Sequence, residues 1–502
     1  MIPAHIGTLL RRLLKRYFST IGQTLFTTLV LWVLTYILLS LYVRNFHLQK
    51  LPGPRMAAYT RFWLSKSYAQ GCLFRVLHET SIVHGPLARV GPNRLLVSDA
   101  KETIRILSPR SRYERGPWYD AFMIDPDRPT IVSQRQRPVH LHMRYQMAAG
   151  YSGRDIANME AIFDDRISDF MARIANQWTS TPMTTVTFDM SRGIRLFIMD
   201  TITQLSFGEP LGYVEKDCDM MNFTSTMERL LPIVLQLTLF TEFNTILKIL
   251  GKIRFFRERI FPHYTDNGGL GKVRQIAQQV IKSRSLPEQE PKSDILDSFL
   301  RHGLSAREAE AEMAIALVAG SDTTSTGLRA AILAIISNTP VCCRLQNEID
   351  TSVEAGLVSS PIQDQEARRL PYLQACIYEA LRWHPPLVLP RERVVPPEGD
   401  VICGHRVPGG TYVGINVWTS QRDSIFGDDP DVFKPERWID ASPDRQKNMK
   451  QVWELIFGHG TTKCLGENVA MKTMNKFIFE ACRMASIPLL QGLTPPTVVP
   501  TL

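Results

Sequence analysis

Apolar residues recur at three- and four-residue spacing over residues 159–175, 190–207, 306–337, 341–355 and 372–383, the period of helices that bury one face or more. Runs of apolar and β-branched residues at 87–97 and 401–415, the second broken by Pro408-Gly409-Gly410, predict short strands. The fold class is therefore mainly α with small β-sheets. The N-terminal pattern is different. Residues 17–43 carry no charge and are rich in Leu, Val, Ile, Trp and Tyr. At about 1.5 Å per residue such a helix reaches roughly 40 Å, enough to cross a bilayer with tilt. A transmembrane anchor is the expectation, because a cleaved signal peptide has only ~7 to 15 apolar residues and a small-residue cleavage site, which is not seen here.

This divides the chain into a basic tail (1–16), an anchor (17–43), a proline-rich hinge (44–56) around Leu51-Pro52-Gly53-Pro54-Arg55, and one large domain (57–502). No repeat or low-complexity linker divides that domain. The formal charge of +9 does not spread over it evenly. Arg11, Arg12, Lys15, Arg16, Arg44 and Lys50, unopposed by any acid before residue 51, supply six of the nine charges. A membrane partner follows; no nucleic acid is expected, since no basic and aromatic module occurs. The charges flank both ends of the apolar run and leave its orientation open. Eight cysteines without a Cys-x-x-Cys pair fit a reducing compartment. His459 and Cys464 lack the second ligand pair that a zinc site needs.

The segment Phe457-Gly458-His459-Gly460-Thr461-Thr462-Lys463-Cys464-Leu465-Gly466 presents one cysteine just before an expected helix over residues 465–484. The positive end of that helix favours a thiolate. Gly458, Gly460 and Gly466 leave room for positive φ and for a flat macrocycle, and Phe457 can shield the sulfur. This is how a protein offers a thiolate to haem iron.

The pattern Phe-x-x-Gly-x-x-x-Cys-x-Gly resembles the haem signature of the cytochrome P450 family, and three further motifs follow that family's order. Ala319-Gly320-Ser321-Asp322-Thr323-Thr324 resembles its oxygen-activation motif, Glu379-Ala380-Leu381-Arg382 its Glu-x-x-Arg pair, and Pro435-Glu436-Arg437-Trp438 the segment whose arginine completes that pair. The resemblance covers about residues 50–485 and implies the cytochrome P450 fold behind an N-terminal transmembrane helix. It implies haem b with Cys464 as axial thiolate, Asp322 and Thr323 as a proton relay, a Thr323 bonded back to a helix carbonyl with Asp322 facing solvent being the other reading, and Gly320 with Ala319 as an opening for oxygen and haem. Glu379, Arg382 and Arg437 become a structural ion network. His140, Arg144 and Arg393 resemble ligands of the haem carboxylates, ordinary surface charges being the other reading.

By the same resemblance the protein is a haem monooxygenase of a lipophilic substrate, closest in spelling to fungal pisatin-demethylase-like enzymes of secondary metabolism. It takes O2, with electrons from an NADPH-cytochrome P450 reductase, and sits in the endoplasmic reticulum membrane with its catalytic domain facing the cytosol. Lys447, Lys450, Lys463 and Lys472 could attract the reductase. Residues 115–125 and 230–243 would line the pocket. Thr462 stands where the family usually has arginine, a charge that Lys463 or Arg144 could replace. Only 17 residues follow Ala485, too few for the expected strand hairpin. A shortened C-terminus leaves a catalytically impaired haem binder as an alternative, and a peroxide-rearranging isomerase is the other.

Overall fold

The computed structural model describes residues 50–178, 184, 186–284 and 292–484, with Thr27, Thr28, Leu31, Trp32, Thr35 and Leu48. Most of the expected anchor and all of residues 485–502 lie outside the described residues. Among the described residues, no single helix is long and apolar enough to cross a membrane.

Eleven helices build and frame the site: α1 (Arg137–Ser152), α2 (Met159–Gln177), α3 (Met190–Phe207), α4 (Phe223–Leu239), α5 (Thr241–Leu250), α6 (Arg254–Ile260), α7 (Gly269–Arg284), α8 (Ala306–Ile336), α9 (Thr339–Glu354), α10 (Pro371–Trp383) and α11 (Glu467–Met484). The spacing-based helices match α2, α3, α8, α9 and α10 to within two residues at each end.

Helix α8 is the axis of the domain. Ser305 and Glu308 form its capping box, satisfying backbone donors that a helix start leaves open. Over 31 residues it runs about 46 Å. Its first half is buried from Ala309 to Leu317, because α3 and α7 pack along it. The burial lapses at one place, where Ala319 and Asp322 are exposed while Ser321 and Ser325 stay buried.

The sheets are small, as the short β-branched runs require. One has the order β1 (Leu87–Gly91), β2 (Arg94–Val97), β7 (Tyr412–Ile415), β4 (Arg393–Val394), β3 (Glu114–Arg115). Only β2 and β7 run parallel, Arg94 facing Tyr412. β5 (Asp400–Ile402) and β6 (His405–Val407) form a separate hairpin. The register of β3 on β4 sets Arg115 directly opposite Arg393. Like charges opposite each other destabilise a strand pair, so this pairing calls for something else at that spot.

Candidate haem site

The cysteine loop folds as its glycines require. Gly458 and Gly460 take φ of +82° and +60°, and a Cβ on Gly460 would lie 2.4 Å from the Leu107 carbonyl oxygen. Cys464 N–H donates to the Phe457 carbonyl at 2.7 Å, closing the loop. Gly466 differs from expectation: its backbone is outside the left-handed region, and its Cβ would meet only Cys464 Sγ, at 3.9 Å. What Gly466 contributes is its N–H, which points at the sulfur. Cys464 keeps accessible surface, and its thiol still lies deep enough in the fold for burial to be the largest influence on it.

A thiolate produced by the helix terminus alone is not what the structure supports. Burial pushes the Cys464 thiol up and Glu467 adds to it, outweighing the Gly466 N–H, Arg144 and Arg391, which pull it down. A coordinating metal deprotonates a thiol outright, so the anionic form comes with coordination.

Behind the loop lies a completed ion network. Arg382 Nε and Nη2 donate to Glu379 Oε2 and Oε1 at 2.8 and 2.7 Å, and Arg437 Nε reaches Oε1 at 2.9 Å. Trp438 Nε1 and the Lys434 N–H fill the rest of the carboxylate at 2.9 and 3.0 Å. The outer guanidinium faces donate to the carbonyls of Gln421, Pro430, Asp429 and Val432. Glu379 and Arg382 are fully buried, an arrangement stable only when every lone pair and proton has a partner. Trp453 connects this network to the loop: its Nε1 donates to the Tyr378 carbonyl at 2.9 Å and its ring lies 5.7 Å from that of Phe457.

At the other edge of the loop positive charge accumulates. Arg144 Nη1 donates to the Lys463 carbonyl at 2.5 Å, and Arg393 Nη2 to Thr462 Oγ1 at 2.8 Å. His140 is buried one turn before Arg144 on α1; burial, then Arg115, Arg144 and Arg393, push its imidazole down to about 3, so it is neutral. His140, Arg393 and Thr462 border a small recess whose walls also include Tyr113, Arg115 and Arg135. Arg115 Nη1 holds the carbonyls of Ile131, Val132 and Gln134 at 2.8, 3.1 and 2.9 Å, while its buried Nε has no partner among the described residues. Burial pulls Arg115 down to about 10. A guanidinium with a donor to spare fits a group carrying carboxylates, and the accessible Cys464 sulfur beside it fits that group's metal. The surface-charge reading of Arg393 and His140 therefore fails, since both are 4% exposed.

On α8, Thr323 Oγ1 donates to the Ala319 carbonyl at 2.7 Å, while the Asp322 side chain is exposed. A Cβ on Gly320 would lie 2.7 Å from Ile202 Cδ1 of α3, so the glycine also eases the packing of α8 on α3. Lys463 is also reassigned: its ammonium pairs with Glu467 at 2.9 Å and Glu454 at 3.9 Å, and does not replace a charge at Thr462. Lys472 pairs with Glu160, leaving Lys447 and Lys450 exposed.

Sequence reasoning missed Arg115, Tyr119, Arg391 and Glu312. Arg115 and Tyr119 had been read only as pocket lining. The alternation Arg391-Glu392-Arg393 was a usable signal, because residues two apart share a strand face. Glu312 of α8 is buried, its Oε1 accepting from the Ile131 N–H at 2.7 Å and its Oε2 unpartnered among the described residues; burial pushes its carboxyl up to about 8.

A glycine-shaped loop closed on Cys464, with Arg144 and Arg393 bonded to its edge, fits a haem-thiolate protein. The chain matches the family model described as Cytochrome P450 over residues 88–483, and it belongs to that family. It is 32% identical over 480 residues to the cytochrome P450 monooxygenase ABA1 of Pyricularia oryzae, covering 93% of this chain and 92% of that one. To the cytochrome P450 monooxygenase aba1 of Botryotinia fuckeliana it is 31% identical over 452 residues, 89% and 88% of the two chains. To abl1 of Leptosphaeria maculans, also a cytochrome P450 monooxygenase, it is 31% identical over 470 residues, 92% and 80%. The protein is thus a monooxygenase whose cofactor is haem b with an axial cysteine thiolate, using O2, a small-molecule substrate and a redox partner.

Proposed function

We propose that the chain oxidises a C–H bond of a lipophilic polyketide, terpenoid or alkaloid in fungal secondary metabolism, with electrons from an NADPH-cytochrome P450 reductase. The observation that carries this reading is the loop closed on Cys464, with Arg144 on the Lys463 carbonyl and Arg393 on Thr462 Oγ1 at its edge. Haem held there supplies dioxygen activation and oxygen insertion. Cys464 is its axial ligand, and Phe457, Gly458, Gly460 and Gly466 shape the loop around it. Arg144, His140 and Arg393 face its carboxylates.

Asp322 and Thr323 manage protons. Thr323 Oγ1 donates to the Ala319 carbonyl but keeps lone pairs, so it accepts a hydrogen bond from water or from a protonated oxygen in the pocket. Asp322, exposed one residue away, exchanges protons with solvent and delivers them toward that hydroxyl.

Membrane attachment through residues 17–43, with the domain on the cytosolic face of the endoplasmic reticulum, belongs to the same proposal. It is supported by Phe243, Ile246, Ile249, Ile253 and Phe255, apolar side chains exposed along α5, α6 and the turn between them.

Microsomes containing the full chain and a reductase should incorporate labelled oxygen from O2 into a lipophilic metabolite that accumulates unoxidised in a strain lacking the protein. Thr323→Ala should keep haem and NADPH consumption while product per NADPH falls about a hundredfold, the low end of a proton-transfer contribution. Unchanged coupling would remove Thr323 from the relay, and oxygen incorporation without NADPH would remove the reductase.

A further inference from the structure

The Arg115–Arg393 pair raises the question of what keeps two buried cations aligned across adjacent strands. Tyr119 lies between them. Its phenol accepts a hydrogen bond from Arg393 Nη1, and its ring lies 4.6 Å beneath the Arg115 guanidinium and 5.4 Å from that of Arg393. Each cation gains from the ring face, more so where water is excluded. Tyr119 is 5% exposed. Burial pushes its phenol up, but Arg393, Arg115 and Arg391 together pull it below its ordinary value, which measures how much positive charge it faces.

The other end of Arg393 is fixed by Thr462. The threonine hydroxyl accepts from Nη2 at 2.8 Å and donates to the His459 carbonyl at 3.3 Å. Tyr119, Arg393, Thr462 and His459 therefore form one hydrogen-bonded chain from the loop over the recess to the cysteine loop. A guanidinium gripped at both terminal nitrogens cannot swing away from its neighbour, and its charge stays beside the recess that Arg115 also borders.

Resting on the haem reading above, we propose that Tyr119 is a positioning residue for the cofactor's carboxylates. Together with Thr462 it locks Arg393 into the orientation that receives them, so that haem retention in this chain depends on a phenol and a threonine hydroxyl acting through one arginine. Tyr119 touches neither iron nor substrate in this role.

The test measures transfer of haem from the loaded full-length protein to excess apomyoglobin, with Tyr119→Phe, Thr462→Val, Arg393→Met and the double variants. Tyr119→Phe and Thr462→Val should each release haem about tenfold faster, the size of one hydrogen bond to a charged group. Arg393→Met should be at least as fast, and in that background Tyr119→Phe should add nothing, since both act through the same side chain. Tyr145→Phe, exposed on α1, should match wild type and controls for loss of a phenol. Wild-type release rates for Tyr119→Phe, or an equal acceleration with and without Arg393, would overturn this inference alone. Failure of the wild type to hold stoichiometric haem would overturn the haem reading and this inference with it.

Discussion

Two clusters of buried charge flank the cysteine loop, and they are built on opposite principles. Around Glu379, the carboxylate accepts from Arg382, Arg437, Trp438 and Lys434, and the arginines' remaining donors reach backbone carbonyls. Around Arg393, the side chains of Arg115, Arg144 and Arg391 gather beside neutral His140, and Arg115 Nε has no partner among the described residues. A closed network needs nothing further and serves the fold. An open one costs stability until an anion arrives, and so marks where a ligand binds. The difference separates structural from functional charge in a protein where both kinds lie inside the fold.

The contrast makes opposite predictions for the two sides. Glu379→Ala leaves two buried guanidiniums unpaired, which costs about 3–5 kcal/mol in comparable cases. Expression of soluble, haem-loaded protein should collapse, and the apoprotein's thermal midpoint should fall; a variant as stable as wild type would show the network is not closed. Arg393→Met should behave differently. Without haem it relieves repulsion between buried cations, so the apoprotein should be no less stable than wild type. With haem, the stabilisation that a bound ligand confers should shrink. Calorimetry of both forms decides, and an apoprotein destabilised as much as the holoprotein would place Arg393 among the structural charges.

The smallest effect concerns Glu312. Its carboxyl is raised by burial from the usual range to about 8, so the folded state binds the proton more tightly than the unfolded chain does. That contribution is fully present below the ordinary carboxyl pKa and is lost as pH rises from there to about 8. Glu312→Gln should therefore change the thermal midpoint little at pH 5 and raise it relative to wild type at pH 9. An equal difference at both pH values would show that Glu312 is not held neutral.

Much of this was legible in the sequence because it depends on spacing. Apolar periodicity located α2, α3, α8, α9 and α10, and Glu379 with Arg382 three residues on, joined by Arg437, closed as the motif implied. The cationic rim was less legible because it is assembled by register. Arg115 and Arg393 are far apart in sequence and meet only through the pairing of β3 with β4, which each contributes just two residues and carries almost no pattern. Gly320 shows the opposite difficulty: it stands in a motif that suggests chemistry, and its close approach to Ile202 of another helix could not be read from that motif. Lys463 looked available to replace a charge until α11 placed Glu467 beside it.

The central claim is that Cys464 holds haem iron as a thiolate. The most direct measurement is the absorption spectrum of the reduced full-length protein under carbon monoxide, beside Cys464→Ala. The account expects one haem per chain, with the long-wavelength band of a thiolate-ligated iron in the wild type and no such band in the variant. A histidine-type band in well-folded wild type, or an unchanged spectrum in Cys464→Ala, would contradict it.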